Sequence, residues 1–301
     1  MKQRSPCDLR ELCLLLGYSR QAYYKGERYN ERQSFKAELI VKEVMRYRKD
    51  QKRIGTRKLY EELSPFLDKH GFKIGRDVLF KILAQHGLLI RKRKSRKAVT
   101  TNSYHRFRKY ANLIKNYVPL APNKLWVSDI TYIPVGSRYA YLSLITDAYS
   151  RKIVGYCLRK DLSAQGPLNA LCMALESNPH HTGLIHHSDR GIQYCSDAYT
   201  ALLIESGIRV SMTQNGDPLE NAIAERINGI LKDELLLKKY ASFKSADARV
   251  AVAIDVYNHQ RPHGSIDYLK PADAHLQQGT LKRRWKTYYK KATGKEVAQG
   301  E

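Results

Sequence analysis

Apolar and polar positions along this chain follow two rhythms. Up to about residue 87 they recur at helical spacing, and from about residue 125 they alternate at strand spacing. In residues 8–25, Leu9, Leu12, Leu15 and Leu16 share a helical face, Gly17 can stop that helix and Ser19 can cap the next. The outline is a helix-turn-helix whose second helix presents Arg20, Gln21 and Lys25. An ordinary helical hairpin fits the same pattern, and so short a segment does not separate the two. Residues 31–50 predict an amphipathic, charged helix. Residues 54–67 and 75–87 predict a helical pair, with Val78, Leu79, Ile82 and Leu83 as its apolar stripe and Gly87 as its stop.

In residues 125–134 the alternation puts Trp126, Ser128, Ile130 and Tyr132 on one face and Val127, Asp129, Thr131 and Ile133 on the other. Residues 138–147 and 152–158 are two further strands at hairpin spacing. Helices over 163–177 and 196–206 flank a short buried strand at 183–189. A strand at 208–213, a loop at 214–218 and a long helix over 219–240 follow. The order β-β-β-α-β-α-β-loop-α predicts an α/β fold, a hairpin-led mixed sheet with helices over it. Another helix (251–259), a proline-punctuated stretch and a basic end (281–291) complete the chain.

At 43% hydrophobic and 10% aromatic residues the chain has the material for folded cores, which excludes global disorder. No run approaches the roughly 18 apolar residues that cross a bilayer. Asp8, Arg10 and Glu11 interrupt what would be the apolar core of a signal peptide. No membrane role is expected, and the five scattered cysteines (Cys7, Cys13, Cys157, Cys172, Cys195), with no C-x-x-C pair, predict a reduced, cytoplasmic protein.

Charge changes the picture more. Of the formal net +24, residues 1–115 carry +19. So concentrated a basic excess points to a polyanion, and nucleic acid is the usual one. The run Arg91, Lys92, Arg93, Lys94, Arg96 and Lys97 reads as a segment that tracks DNA through its phosphates. Arg20, Arg57, Lys58 and Arg76 are candidate contacts on the helices before it. The predicted division is a helix-turn-helix-like segment (1–30), a helical DNA-binding domain with its basic run (31–97), a linker (98–120), a core (121–240) and a helical, basic extension (241–301).

Three acids stand where a carboxylate is awkward unless needed. Asp129 lies mid-strand, where aspartate is depleted. Asp189 ends a buried strand, and Glu225 lies on the long helix amid a polar stripe of Asn221, Asn228, Gly229 and Lys232, while Ile223, Ile227, Ile230 and Leu231 form the packing side. Carboxylates brought together repel, and divalent cations relieve that repulsion. Oxygen-only ligands suit Mg²⁺, with Mn²⁺ as substitute, and a pair of ions about 3.5–4 Å apart supports in-line phosphoryl displacement. The pattern alone leaves open whether the three meet, since Asp189 can cap a turn and Glu225 can be solvated. Asp147 is read as a turn residue before Ser150 and Arg151, and Asp217 and Glu220 as solvated or helix-capping. His180, His181, His186 and His187 lack zinc spacing, and the last two point to opposite strand faces.

The segments W-V-S-D-I-T-Y (126–132), H-S-D-R-G-x-Q-Y (187–194) and N-G-D-P-x-E-N-A-x-A-E (215–225) resemble the signatures of bacterial insertion-sequence transposases of the IS-three family, in the retroviral-integrase-like superfamily. That family places 35 residues between its second Asp and its Glu, as do Asp189 and Glu225 here. The likeness runs from about Gly55 to Pro271. It implies an RNase H-like core in which Asp129, Asp189 and Glu225 bind two Mg²⁺ and cut double-stranded DNA at the ends of an element, the freed 3′-hydroxyl then attacking a target. It also implies a DNA contact at Lys232, with Asn221, Arg226 and Asn228 beside it. Y-N-x-x-R-P-H (257–263) matches a family segment after the core and is expected to be structural, with DNA contact open. Arg226 stands where a small or aromatic residue is expected, and Glu220 where Asp is common. The chain has no heptad zipper, so the resemblance implies a second-frame product, with the upstream-frame protein or a fused form as candidate partner. At least a dimer is expected, since two ends are joined. A catalytically silent DNA-binding regulator and an RNase H-like structure-specific nuclease are the alternatives.

Overall fold

The computed structural model of the chain describes residues 8–90, 105–115, 117–180, 182–214 and 221–282. They divide into two compact units, one within Met1–Arg96 with Asp233–Leu235, the other within Lys97–Lys232 and Leu236–Glu301. No described helix is long and apolar enough to cross a membrane. Cys13, Cys157, Cys172 and Cys195 carry free thiols.

The first unit is helical: α1 (Leu9–Leu15), α2 (Arg20–Asp50), α3 (Thr56–Lys69) and α4 (Arg76–Gln85). Ser19 caps α2 as expected, its Oγ accepting from the Ala22 N–H at 3.1 Å. Here the structure departs from the reading of a short second helix and a separate one from residue 31. Gly26 is carried inside α2, because one glycine costs a helix only about 1 kcal/mol. The core gathers Ile40, Val44, Ile54, Leu59, Leu63, Leu67, Leu79 and Leu83. Gly87 (φ +65°) stops the chain after α4, with the Leu88 N–H reaching back to the Leu83 carbonyl at 2.7 Å. Two expected burials fail: Val78 is exposed, and Leu12 and Leu15 of α1 and Leu16 just after it are exposed while Cys13 is buried.

The second unit is built on a five-stranded sheet: β1 (Leu125–Val135), β2 (Arg138–Asp147), β3 (Ile153–Arg159), β4 (Ile185–Ser188) and β5 (Arg209–Met212), in the order β3-β2-β1-β4-β5. The first three strands are antiparallel hairpin neighbours. β4 joins β1 in parallel and β5 joins β4 in parallel. This is the RNase H-like mixed sheet, with β1 at its centre. A parallel pair needs a crossover, supplied between β3 and β4 by α5 (Gln165–Ser177). Helices α6 (Ile192–Cys195) and α7 (Asp197–Glu205) separate β4 from β5. Trp126, Ile145 and Val154 pack with Ala170, Leu171 and Leu203, so α5 and α7 cover one face of the sheet. β3 and α5 approach so closely that a Cβ at Gly155 would overlap the Ala170 carbonyl.

The other face, with Leu125, Val127 and Ile185, takes Ala224 of α8 (Ala222–Ile230). The expected single helix over 219–240 is not continuous. A π-helical turn (Leu231–Leu235) follows α8, and Tyr240 then pairs with the end of β1, its N–H donating to the Pro134 carbonyl at 2.9 Å. Backbone groups at the end of β1 thus compete successfully for residues that helical periodicity alone would extend. α9 (Phe243–His259) starts earlier than expected, at a capping box of Ser242 and Ser245. A short α10 (Pro271–Ala274) ends the described core.

Candidate active site

The register of β1 and β4 explains how two acids sixty residues apart in sequence become neighbours. Their parallel pairing ends at Val127↔His187, and Asp129 and Asp189 each lie two residues beyond that pair. Both therefore emerge at the carboxyl end of the paired segment, where ligands of open α/β sheets bind. Asp129 shares its face with Val127, the face that α8 covers, and α8 carries Glu225.

The Asp129 carboxylate is half-buried and held at both oxygens. Oδ1 accepts from the Ile130 N–H at 2.9 Å and Oδ2 from the Asn228 side-chain amide at 2.7 Å. Its pKa is nevertheless pushed up from 3.8 to about 7, first by burial and next by the charge of Asp189. The two hydrogen bonds pull the other way, and Glu225 adds a smaller upward push. The three acids thus share one electrostatic field. Asp189 is partly buried, with Oδ1 accepting from the Gly191 N–H at 3.0 Å, and Glu225 is exposed. Among the described residues no three acidic, His or Cys side chains are clustered tightly enough to hold one ion together.

The polar stripe of α8 faces β1. Asn221 donates to the Ser128 carbonyl at 3.0 Å, Asn228 to Asp129, and Lys232 Nζ to Thr131 Oγ1 at 3.1 Å. The expected DNA-contact role placed both asparagines outward, whereas their side chains are buried. Ile227, Ile230 and Leu231 are buried as read from the sequence. Arg226 is exposed, as are Arg20, Arg57 and Arg76 of the first unit. Arg76 pairs with Asp77 at 3.4 Å, and Lys58 pairs with Glu234 at 2.9 Å within that unit. Arg91, Lys92, Arg93, Lys94, Arg96 and Lys97, and likewise Asp217 and Glu220, lie outside the described residues.

The remaining polar candidates have structural partners. Asp147 is fully buried, its Oδ1 accepting from the Ser150 N–H and hydroxyl at 2.7 and 2.8 Å and its Oδ2 from the Asn123 N–H at 2.8 Å, in a turn where Arg151 takes φ +67°. His186 pairs with the Tyr199 hydroxyl at 3.0 Å, and burial lowers its pKa to about 3. His187 pairs with Ser211 Oγ at 2.8 Å. In the 257–263 segment the Asn258 amide both accepts from the Ile153 N–H (2.9 Å) and donates to its carbonyl (3.0 Å), while Tyr257 donates to the Arg151 carbonyl at 2.9 Å. That segment staples α9 to β3 and to the turn before it.

Sequence reading missed Ser128 and Tyr194, whose hydroxyls meet at 2.9 Å in the core on the opposite side of β1 from Asp129. Only the strand alternation around Ser128 hinted at them. A cavity of about 630 Å³ borders Asn221 and Ile223 and is walled by Leu120, Leu125, Tyr149 and Ile266; none of the three acids lines it.

Comparison with known proteins places this architecture. The integrase core domain profile matches residues 119–218, and a second integrase core profile matches residues 206–271. The chain is 33% identical to the uncharacterized 31 kDa protein of insertion element IS600 from Shigella sonnei, over 87% of this chain and 96% of that one. It is 30% identical to the transposase for insertion sequence element IS629 from the same organism, over 91% of this chain and 93% of the relative. Transposase InsF for insertion sequence IS3A of Escherichia coli is 28% identical over 90% of this chain and 94% of its own length.

Proposed function

This chain belongs to the IS-three family of insertion-sequence transposases with an integrase core, and from that premise we propose that Asp129, Asp189 and Glu225 are the acids with which it cuts and rejoins DNA. The observation that supports this most is the shared field at Asp129, raised to about 7 by its burial and by Asp189. Acids placed against one another at the carboxyl end of the paired strands repel, as the raised Asp129 carboxyl reports. Three hard oxygen donors with no nitrogen or sulfur suit Mg²⁺, with Mn²⁺ as substitute. Asp129, Asp189 and Glu225 would hold two such ions. When bound, these ions offset the acids' charge and polarise the attacking and leaving oxygens.

The chain's own residues do the rest. The Ile130 N–H and the Asn228 amide fix the orientation of Asp129, and the Gly191 N–H fixes Asp189. Arg226, exposed on the helix of Glu225, and Lys232, in the π-helical turn that follows it, take the phosphates of the element end, and the basic first unit supplies salt-dependent affinity along the duplex. Water attacks a phosphodiester at the element end and releases a 3′-hydroxyl. That hydroxyl then attacks a second phosphodiester in the target, one P–O bond forming as another breaks, and no covalent link to the protein is needed. Joining two ends calls for at least a dimer, working where the bacterial chromosome lies.

The test is cleavage of a labelled element-end duplex in Mg²⁺ and in chelator, beside a scrambled duplex and an RNA–DNA hybrid. Nicking of the end duplex alone, lost in chelator and in Asp129→Asn with binding retained, is the expected result. Binding without cutting identifies a regulator, and cutting that ignores the end sequence identifies a structure-specific nuclease.

A further inference from the structure

Glu225 and Asp129 sit on different elements, so something must fix the distance between them. Glu225 is exposed on α8, and Asp129 is mid-strand on β1. α8 is only nine residues long and ends in a π-helical turn, so its own hydrogen bonds do little to set its height over the sheet. Its apolar anchors, Ala224 and Ile227 with the partly buried Ile223, are non-directional and permit sliding. The directional contacts are the two asparagines. They flank Glu225, four residues before it and three after, and so lie on its side of the helix. Both are more than nine-tenths buried. Asn221 donates its amide N–H to the Ser128 carbonyl, while its Oδ1 does not cap α8, and Asn228 donates its own N–H to Asp129 Oδ2. The two receiving groups belong to adjacent residues of β1. In each amide the other atom, Oδ1, is buried without a hydrogen-bond partner, a cost the fold bears at both positions.

We propose that Asn221 and Asn228 are positioning residues that clamp α8 to β1 across Glu225, and that through Asn228 they orient the Asp129 carboxylate for the cation. The proposal rests on the reading of the three acids as metal ligands given above. Partners that orient a ligating carboxylate govern metal affinity, and their loss typically weakens it about 10- to 100-fold. A residue that merely fills space beneath α8 would leave that affinity unchanged when replaced by one of equal volume.

The experiment titrates the full chain with Mn²⁺, reading free ion by electron paramagnetic resonance, with melting in chelator as the control on folding. Asn228→Leu keeps the volume and removes the donor. It is expected to bind Mn²⁺ at least about tenfold more weakly, while Asn228→Gln, which keeps an amide, recovers part of the loss. Asn221→Leu, which spares the bond to Asp129, is expected to weaken binding less than Asn228→Leu. Wild-type affinity in Asn228→Leu overturns the proposal. If Asn228→Leu does not fold, Asn228→Gln and Asn221→Leu decide by the same readout, and wild-type affinity in both overturns it. Failure of the underlying reading looks different: the wild-type chain binds no Mn²⁺, or Asp129→Asn binds it as well as wild type does.

Discussion

Replacing Asp129 by Asn should stabilise the metal-free chain, and increasingly so as the pH rises. The folded carboxyl titrates near 7 rather than 3.8, because it is buried and faces Asp189. An acid whose folded pKa is raised gives up stability as the pH climbs from its unfolded pKa through its folded one. The loss therefore begins above about pH 4 and is complete just above pH 7. Moving an aspartate from 3.8 to about 7 corresponds to about 4 kcal/mol at full effect. Water that reaches the half-buried group screens part of it, leaving about 2 kcal/mol. Asn has nearly the same shape, keeps an oxygen for the Ile130 N–H and carries no charge, so that amount is recovered at pH 8 and much less at pH 5. For a unit of this size the recovery corresponds to a melting temperature higher by about 4–8 °C. The assay is thermal unfolding by circular dichroism in excess chelator at the two pH values. Identical melting of variant and wild type at pH 8, or a gap that does not widen between pH 5 and pH 8, would refute the reasoning.

Further outcomes follow from the same geometry. Millimolar Mn²⁺ should raise the melting temperature of the wild-type chain, since a ligand at 100 times its Kd adds about 2.7 kcal/mol, and should leave Asp129→Asn nearly unmoved. Gly155→Ala should cost about 3 kcal/mol in urea unfolding, because the added Cβ overlaps the Ala170 carbonyl and β3 must part from α5. Lys232→Ala should weaken binding to an element-end duplex and lower the slope of log affinity against log salt by about 1 in fluorescence anisotropy.

The sheet was legible because alternation in residues 125–134 separates Trp126 and Val127 onto faces that the structure indeed packs against different helices. Asp147 was legible as a turn residue from the Ser150-Arg151 that follows it. The polar stripe of α8 was legible as a stripe, but its partner was not. Asn221 and Asn228 are polar on a helix and so read as outward-facing, whereas they are buried against β1 groups whose proximity depends on the whole fold. The α1 leucines show the converse error, since helical spacing identifies a face but not whether anything covers it. The break after α8 was hidden because Leu231, Leu235 and Leu236 keep helical spacing while the chain turns away to bond with the end of β1. The three acids were singled out by motif and spacing. Their side-by-side placement follows from a strand register that pattern alone does not reveal.

The order β3-β2-β1-β4-β5 also bears on how the protein is made. A ribosome delivers β1, β2 and β3 first, and these can pair at once through short hairpins. Asp129 has no acidic neighbour until β4 has crossed over and docked, and Glu225 arrives later still. A polypeptide released early, before about residue 185, keeps an uncovered edge on β1 and an Asp129 that faces neither of the two acids it meets in the finished fold.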